Sequence, residues 1–280
     1  MLNQKISRKD VVNWEKHLFG ISKEKWDSLK SKSFWVTGAG TGYGRCLAVV
    51  LAAAGAKVFL TGRRKEKLWE TIIEIEELNI PTENCYPITA DITDLNQVKM
   101  ACNIVSDNCE SLYGLINNAA VPARGDVPMP LLCGSVEDWD RIMNTNVRAP
   151  WLLTKTIFPH MIKGSALRML FISSEAGWAF TPGYGPYNIS KAALNSLGAS
   201  MAAECAVNYP DIDAQVNVLV PGEARTEMNR GSGESPYNIV CMALALLSHP
   251  KDGPNGKFFY WDGRSSSFCS SLPYEVSVLE

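Results

Sequence analysis

Short apolar runs alternate with longer stretches of helical periodicity along almost the whole chain, and this alternation restricts the fold more than any other feature. The apolar runs lie at residues 34–37, 57–60, 85–88, 115–117, 168–173, 215–220 and 258–260. Between them the spacing predicts helices over 43–54, 65–78, 95–109, 136–162, 187–207 and 236–247. Several runs lack the polar alternation of a half-exposed strand, so they suit strands covered by helices on both faces. Strands linked by crossover helices lie parallel and wind in one sense. The expectation is an α/β chain with a single doubly wound, mainly parallel sheet and helices on both faces. At 280 residues two domains would be possible, but no solenoid repeat or low-complexity linker divides the sequence.

Residues 1–32 stand apart. Ser7 and Asp10 have capping-box spacing, Trp14 and Leu18 lie one helical turn apart, and Gly20 is a stop. Ser22 then opens a second short helix that carries Trp26 and Leu29. These apolar residues are too few for a core of their own, so residues 1–32 are expected to form a helical extension packed on a domain of residues 33–280.

The charge balance excludes several partners. With 27 Lys+Arg against 29 Asp+Glu the chain has no overall electrostatic footprint for nucleic acid or an anionic membrane. Its longest strongly apolar stretch, residues 47–54, falls far short of the ~20 residues that cross a bilayer. Residues 1–32 lack the apolar centre of a secretory signal. The 8 cysteines form no CxxC pair and no cluster with the 3 isolated histidines, so neither a metal site nor a disulfide framework is expected. A cytoplasmic, reducing setting follows as the expectation.

The first strand candidate runs straight into Gly38-Ala39-Gly40-Thr41-Gly42-Tyr43-Gly44, and an apolar helical stretch follows. Glycines there let the backbone turn sharply and approach a pyrophosphate, whose charge is stabilised by N–H groups at the helix N-terminus. The flanking strand and helix supply the context that makes this a dinucleotide site. At the end of the second strand, where a carboxylate would bind the ribose 2′-hydroxyl of NAD, the chain has Arg63 and Arg64. A guanidinium pairs with a 2′-phosphate, so NADP(H) is expected in preference to NAD(H).

Tyr187 and Lys191 are four residues apart at the start of a helical stretch, which puts phenol and ammonium on one face. A cation ~4 Å from the phenol at an effective dielectric near 20 is worth up to ~4 kcal/mol, or roughly three pKa units. Together, Thr37-Gly38-x-x-x-Gly42-x-Gly44, Asn117-Asn118-Ala119, Asn146, Ser174, Tyr187-x-x-x-Lys191 and Pro221-Gly222 with Thr226 resemble, in order and spacing, the short-chain dehydrogenase/reductase family. The resemblance covers residues 33–263 and implies a Rossmann-type fold and NAD(P)-dependent oxidoreductase activity.

The resemblance also implies roles. Tyr187 would donate the proton in reduction, Lys191 would lower the phenol's pKa and bind the nicotinamide ribose, and Ser174 would hydrogen-bond the reacting carbonyl. Asn146 would hold a water that links Lys191 to solvent. Thr37, Gly38, Thr41, Gly42, Tyr43 and Gly44 would cradle the cofactor phosphates, and Asp91 and Ile92 would meet the adenine. Asn118 and Ala119 would line the cofactor, while Pro221, Gly222 and Thr226 would position the nicotinamide.

Departures from the family pattern bear on substrate. Gly40 stands where serine is frequent, and Thr41 where NADP-dependent members often carry a basic residue. Only nine residues, 227–235, separate Thr226 from the next helix, in place of a longer lid. Trp178, Phe180 and Tyr184 could wall the pocket, with Glu175 or Arg225 reaching polar groups. An open, partly polar cleft suits a ketone or alcohol on a sugar, a nucleotide-linked sugar or a carrier-linked 3-oxoacyl group. Ala192, Ala193, Ser196, Gly198, Ala199, Ala202 and Ala203 allow close helix approach, and a homodimer or homotetramer is expected. The competing reading is a non-catalytic NAD(P)-binding regulator or scaffold.

Overall fold

The computed structural model describes residues 11–122, 129–178 and 182–267. Its strands are β1 (Ser33–Thr37), β2 (Lys57–Gly62), β3 (Cys85–Thr89), β4 (Gly114–Asn117), β5 (Ala166–Ile172), β6 (Asp213–Val220), β7 (Lys257–Tyr260) and β8 (Ser265–Ser267). They form one sheet in the order β3-β2-β1-β4-β5-β6-β7-β8, in which β7 and β8 pair antiparallel and every other neighbour is parallel. All seven apolar runs are strands. The eighth strand was not foreseen, because its three serines carry no apolar signal and are exposed. Backbone pairing to β7 holds it, with Lys257 opposite Ser267.

The helices are α1 (Trp14–His17), α2 (Lys23–Asp27), α3 (Gly42–Ala53), α4 (Lys65–Glu77), α5 (Leu95–Asn108), α6 (Val136–Met143), α7 (Ala149–Met161), α8 (Pro186–Asn208) and α9 (Val240–Leu247). Alternate strand residues point to opposite faces, so two cores form. Phe34, Val36, Leu60 and Ile172 pack against Leu47 and Val50 of α3, Leu68 and Ile75 of α4, and Leu244 of α9. On the other face Trp35, Phe59, Met169 and Phe171 meet Val98 and Val105 of α5, Leu153 and Ile157 of α7, and Leu194 of α8. All five residues of β1 are buried, as a central strand covered on both sides requires.

The long helical pattern over 136–162 is divided. Between α6 and α7 the chain widens into a π turn at Asn144–Arg148, which contains Asn146, and Pro150 then sits in the first turn of α7. Residues 236–247 begin as a 3₁₀ turn, Pro236–Ile239.

Residues 14–29 pack onto the first core through Phe19, Trp26 and Leu29, all buried. Ser22 caps α2 by accepting from the N–H of Lys25. The Ser7 to Asp10 capping box lies outside the described residues. Leu18 and Phe19 both adopt left-handed backbone, with φ of 47° and 50°. That conformation costs about 1–2 kcal/mol for a non-glycine residue, and the burial of Phe19 against Trp26 and Tyr237 offsets it.

Strand order reverses between β1 and β4, and the crevice beyond their carboxyl ends is where doubly wound sheets bind ligands. The ends of β5 and β6 open onto the same edge. Among the described residues no helix is long and apolar enough to cross a membrane.

Candidate active site

The turn after β1 is shaped by glycine. Gly38 and Gly42 have φ of +66° and +54°, and a Cβ on Gly44 would lie 2.3 Å from the carbonyl oxygen of Gly38. The first helical bond of α3 runs from Arg45 N–H to Thr41 O, so the N–H groups of Gly42, Tyr43 and Gly44 have no acceptor within the helix. A cradle that no side chain could enter, lined by such N–H groups, fits a dinucleotide pyrophosphate.

Thr37 and Asn118 hold this turn against the end of β4. Thr37 Oγ1 donates to Ile116 O and accepts from the N–H groups of Asn118 and Ala119, both at 3.0 Å. Asn118 Nδ2 donates to Thr37 O at 2.8 Å. Tyr43 OH donates to Gly222 O at 3.0 Å and so ties the first turn of α3 to the Pro221-Gly222 turn after β6. Burial pushes the Tyr43 phenol up. Thr226 closes against the same cradle, since a Cβ on Gly42 would meet its methyl at 3.2 Å.

At the end of β2, Arg63 is 63% exposed and stands 4.0 Å from Asp91. The other Asp91 oxygen accepts from the N–H and hydroxyl of Thr93, a local turn bond. Ile92 is buried in the second core with Ile88 and Val98. Arg64 donates to Glu227 at 2.6 Å. Three charged residues here were missed by sequence reasoning: Arg45, Lys67 and Glu227. Arg45 donates to Gly40 O at 2.6 and 3.0 Å and pairs with Glu70 and Glu74. Lys67 lies one turn along α4 from Arg64, a spacing that could have revealed it. It also explains Gly40, where a Cβ would come within 2.8 Å of Lys67 Cβ. Nothing local points to Glu227.

The structure brings Ser174, Tyr187 and Lys191 together. Tyr187 lies in the first turn of α8, behind Pro186, and its ring is 9% exposed. Ser174 follows β5, accepts from Ala176 N–H and stands close enough to the Tyr187 phenol to act on its titration. Lys191, one turn on and 2% exposed, donates to Ile172 O at 3.0 Å, with its Nζ 5.6 Å from the centre of the Tyr187 ring. Burial pushes the Tyr187 phenol up, while the Ser174 hydroxyl acts in the opposite sense. Burial likewise lowers the Lys191 amine to about 8. The amine turns to the carbonyl of β5, and burial is the largest influence on the phenol.

Asn146 is buried in the π turn. Its Oδ1 accepts from Val121 N–H, and its Nδ2 donates to Val121 O and to Ser190 Oγ. Ser190 in turn donates to Tyr187 O, so Asn146 braces the turn that carries the phenol. Both amide hydrogens of Asn146 are used, which leaves one Oδ1 lone pair as the side-chain group able to hold a water.

The lowered amine makes stability pH-dependent. Folded Lys191 titrates near 8 and an unfolded lysine near 10.5, so between those values the unfolded chain binds more protons and folding strengthens as pH rises. Relative to Lys191→Met, the wild-type protein is expected to gain about 3 kcal/mol across that window. Denaturant unfolding of both proteins at pH values spanning it measures the gain, and parallel curves would contradict buried, neutralised lysine.

Trp178 and Tyr184 flank the site, each 47% exposed, and Phe180 lies outside the described residues. Trp178 meets Phe258 edge-on, and Tyr260 OH donates to Glu175 in a short contact. A cavity of about 460 Å³ opens between Glu175, Trp178, Tyr260 and Arg264. The loop after Thr226 is drawn closed by Arg225 N–H to Glu234 O at 2.8 Å.

Residues 32–236 match the short chain dehydrogenase family. The chain is 30% identical over 244 residues to the pig (Sus scrofa) dehydrogenase/reductase SDR family member 4, covering 83% of this chain and 81% of that one. It is 33% identical over 203 residues to gluconate 5-dehydrogenase of Gluconobacter oxydans, covering 72% and 74%. Among solved structures, a short chain dehydrogenase from Salmonella enterica serovar Typhi superposes with a TM-score of 0.75 at 26% identity, covering 84% and 98%. A chain from Shigella flexneri 2a, solved in complex with NADP, does so with a TM-score of 0.75 at 26% identity, covering 84% and 99%. With its mainly parallel eight-stranded sheet, its glycine cradle and these relatives, the chain belongs to the short-chain dehydrogenase family of oxidoreductases.

Proposed function

We propose that this protein is an NADP-dependent reductase of a ketone carried by a polar or bulky substrate: a sugar, a nucleotide-linked sugar or a carrier-linked 3-oxoacyl group. The observation that carries the reading is the buried Tyr187 phenol beside Ser174, with the Lys191 amine one turn below. NADPH, when bound, supplies the hydride. Residues 37–44 would hold its phosphates, with Asn118, Ala119, Pro221, Gly222 and Thr226 along its length and Asp91 and Ile92 at the adenine. Arg63 and Arg64 would receive the 2′-phosphate.

Ser174 would hold the substrate carbonyl oxygen beside Tyr187. The phenol would then pass its proton to that oxygen as negative charge develops there, and regain one by way of Lys191 and a water at Asn146. An NADP complex of a structural neighbour and the gluconate 5-dehydrogenase likeness support cofactor and substrate class. We also read residues 1–32 as an extension on the 33–280 domain. The exposed small residues of α8, Ala192, Ser196 and Ala203, together with exposed Trp151 on α7, support a homodimer or homotetramer.

A panel of sugar ketones, 3-oxoacyl thioesters and steroids, run with NADPH and with NADH, tests the reading. NADPH oxidation driven by a polar ketone is expected. Turnover with small hydrophobic steroids alone, or equal rates with NADH, would contradict it.

A further inference from the structure

The bond between Arg64 and Glu227 joins residues 163 positions apart and crosses the proposed cofactor cleft. Arg64 sits at the adenosine end, as the residue capping α4 after β2. Glu227 follows Thr226, which closes on Gly42 of the pyrophosphate cradle. The carboxylate therefore reaches over the cradle to the guanidinium that the NADP reading assigns to the 2′-phosphate.

Its surroundings are those an anion would seek. Arg64 is the main cause that holds the Glu227 carboxyl below its usual range, and Lys67 and Arg45 act in the same direction. Those two cations are themselves paired with Glu70, at 2.8 and 2.9 Å. The Arg64 pair is exposed, with side chains 51% and 44% accessible, so it is screened and readily exchanged.

We propose that Glu227 is a specificity-determining residue: its carboxylate occupies Arg64 in place of the dinucleotide 2′-phosphate, and a 2′-phosphorylated dinucleotide must displace it to bind. This inference rests on the NADP reading above. A phosphate brings about twice the charge and a set of acceptors that a guanidinium binds in pairs, so it wins the exchange. Winning still costs the affinity invested in the internal pair. A dinucleotide lacking the 2′-phosphate has no claim on Arg64 and leaves the pair in place. Glu227 thus narrows the gap between the two cofactors by weakening only the phosphorylated one.

The test is equilibrium binding of NADPH and NADH, read by nicotinamide fluorescence, to wild type, Glu227→Gln, Arg64→Gln and the double variant. Glu227→Gln is expected to bind NADPH about three- to fivefold more tightly, the most an exposed ion pair contributes, with NADH within a factor of about two of wild type. In the Arg64→Gln background the same change should have no effect on NADPH. If Arg64→Gln weakens NADPH but Glu227→Gln leaves it unchanged or weaker, competition is refuted while the NADP reading stands. If Arg64→Gln leaves NADPH affinity intact, the assignment of the 2′-phosphate to Arg64 fails and the inference falls with it.

Discussion

A Tyr187→Phe enzyme is expected to keep its fold and lose turnover by a factor of about 10²–10⁴, the range that a positioned acid contributes. The substitution keeps the ring, which is buried and packed 6.3 Å from Tyr184, and removes only the hydroxyl. That hydroxyl is the atom beside Ser174, and burial raises its pKa, so it holds its proton through neutral pH. The loss should fall on kcat rather than KM, because a proton transferred as charge develops on the substrate stabilises the transition state more than the bound ketone. An unchanged melting temperature and circular dichroism spectrum separate lost chemistry from lost structure. Full turnover in the variant would remove Tyr187 from the reaction.

The second large effect lies outside the cleft. Phe19→Ala is expected to destabilise the protein by about 3–5 kcal/mol, the range for truncating a buried phenylalanine. Phe19 is 2% exposed and stacks between Trp26 and Tyr237, at 6.2 and 6.3 Å. Alanine would retain the left-handed backbone strain and lose the packing that offsets it. Tyr237 also donates to Glu74 at 2.8 Å, Glu74 pairs with Arg45, and Arg45 holds Gly40 O in the cofactor turn. The residue that anchors the N-terminal segment thus stands four contacts from the cradle. Thermal unfolding measures the effect, expected on the order of 10 °C, against Val12→Ala at a 65% exposed position as control. Equal melting temperatures would show that the segment adds little to the fold.

The strands were legible because a strand covered on both faces must be apolar almost throughout, as Phe34 to Val36 and Val216 to Val220 are. The meeting of Ser174, Tyr187 and Lys191 was legible too, since a helix face and a strand end determine it. What escaped depends on contacts between distant segments. Ser265 to Ser267 form a strand only because β7 lies beside them. Glu227 acquires its meaning from Arg64 across the cleft, and Lys67 from its packing on Gly40. The direction of the Lys191 amine was hidden for another reason. Spacing puts it on the face of Tyr187, but the competing acceptor, Ile172 O, belongs to a strand nineteen positions earlier in the chain.

The central claim is that hydride and proton both reach a substrate carbonyl on this chain, the proton from Tyr187. NADPH deuterated at the transferred position of its nicotinamide, mixed with the protein and a polar ketone, tests it most directly. The account predicts deuterium on the carbinol carbon of the product with wild type, and on the order of a hundredfold less or lower still with Tyr187→Phe. Tight NADPH binding with no deuterium in any alcohol product would instead mark a dinucleotide-binding scaffold, and would contradict the account.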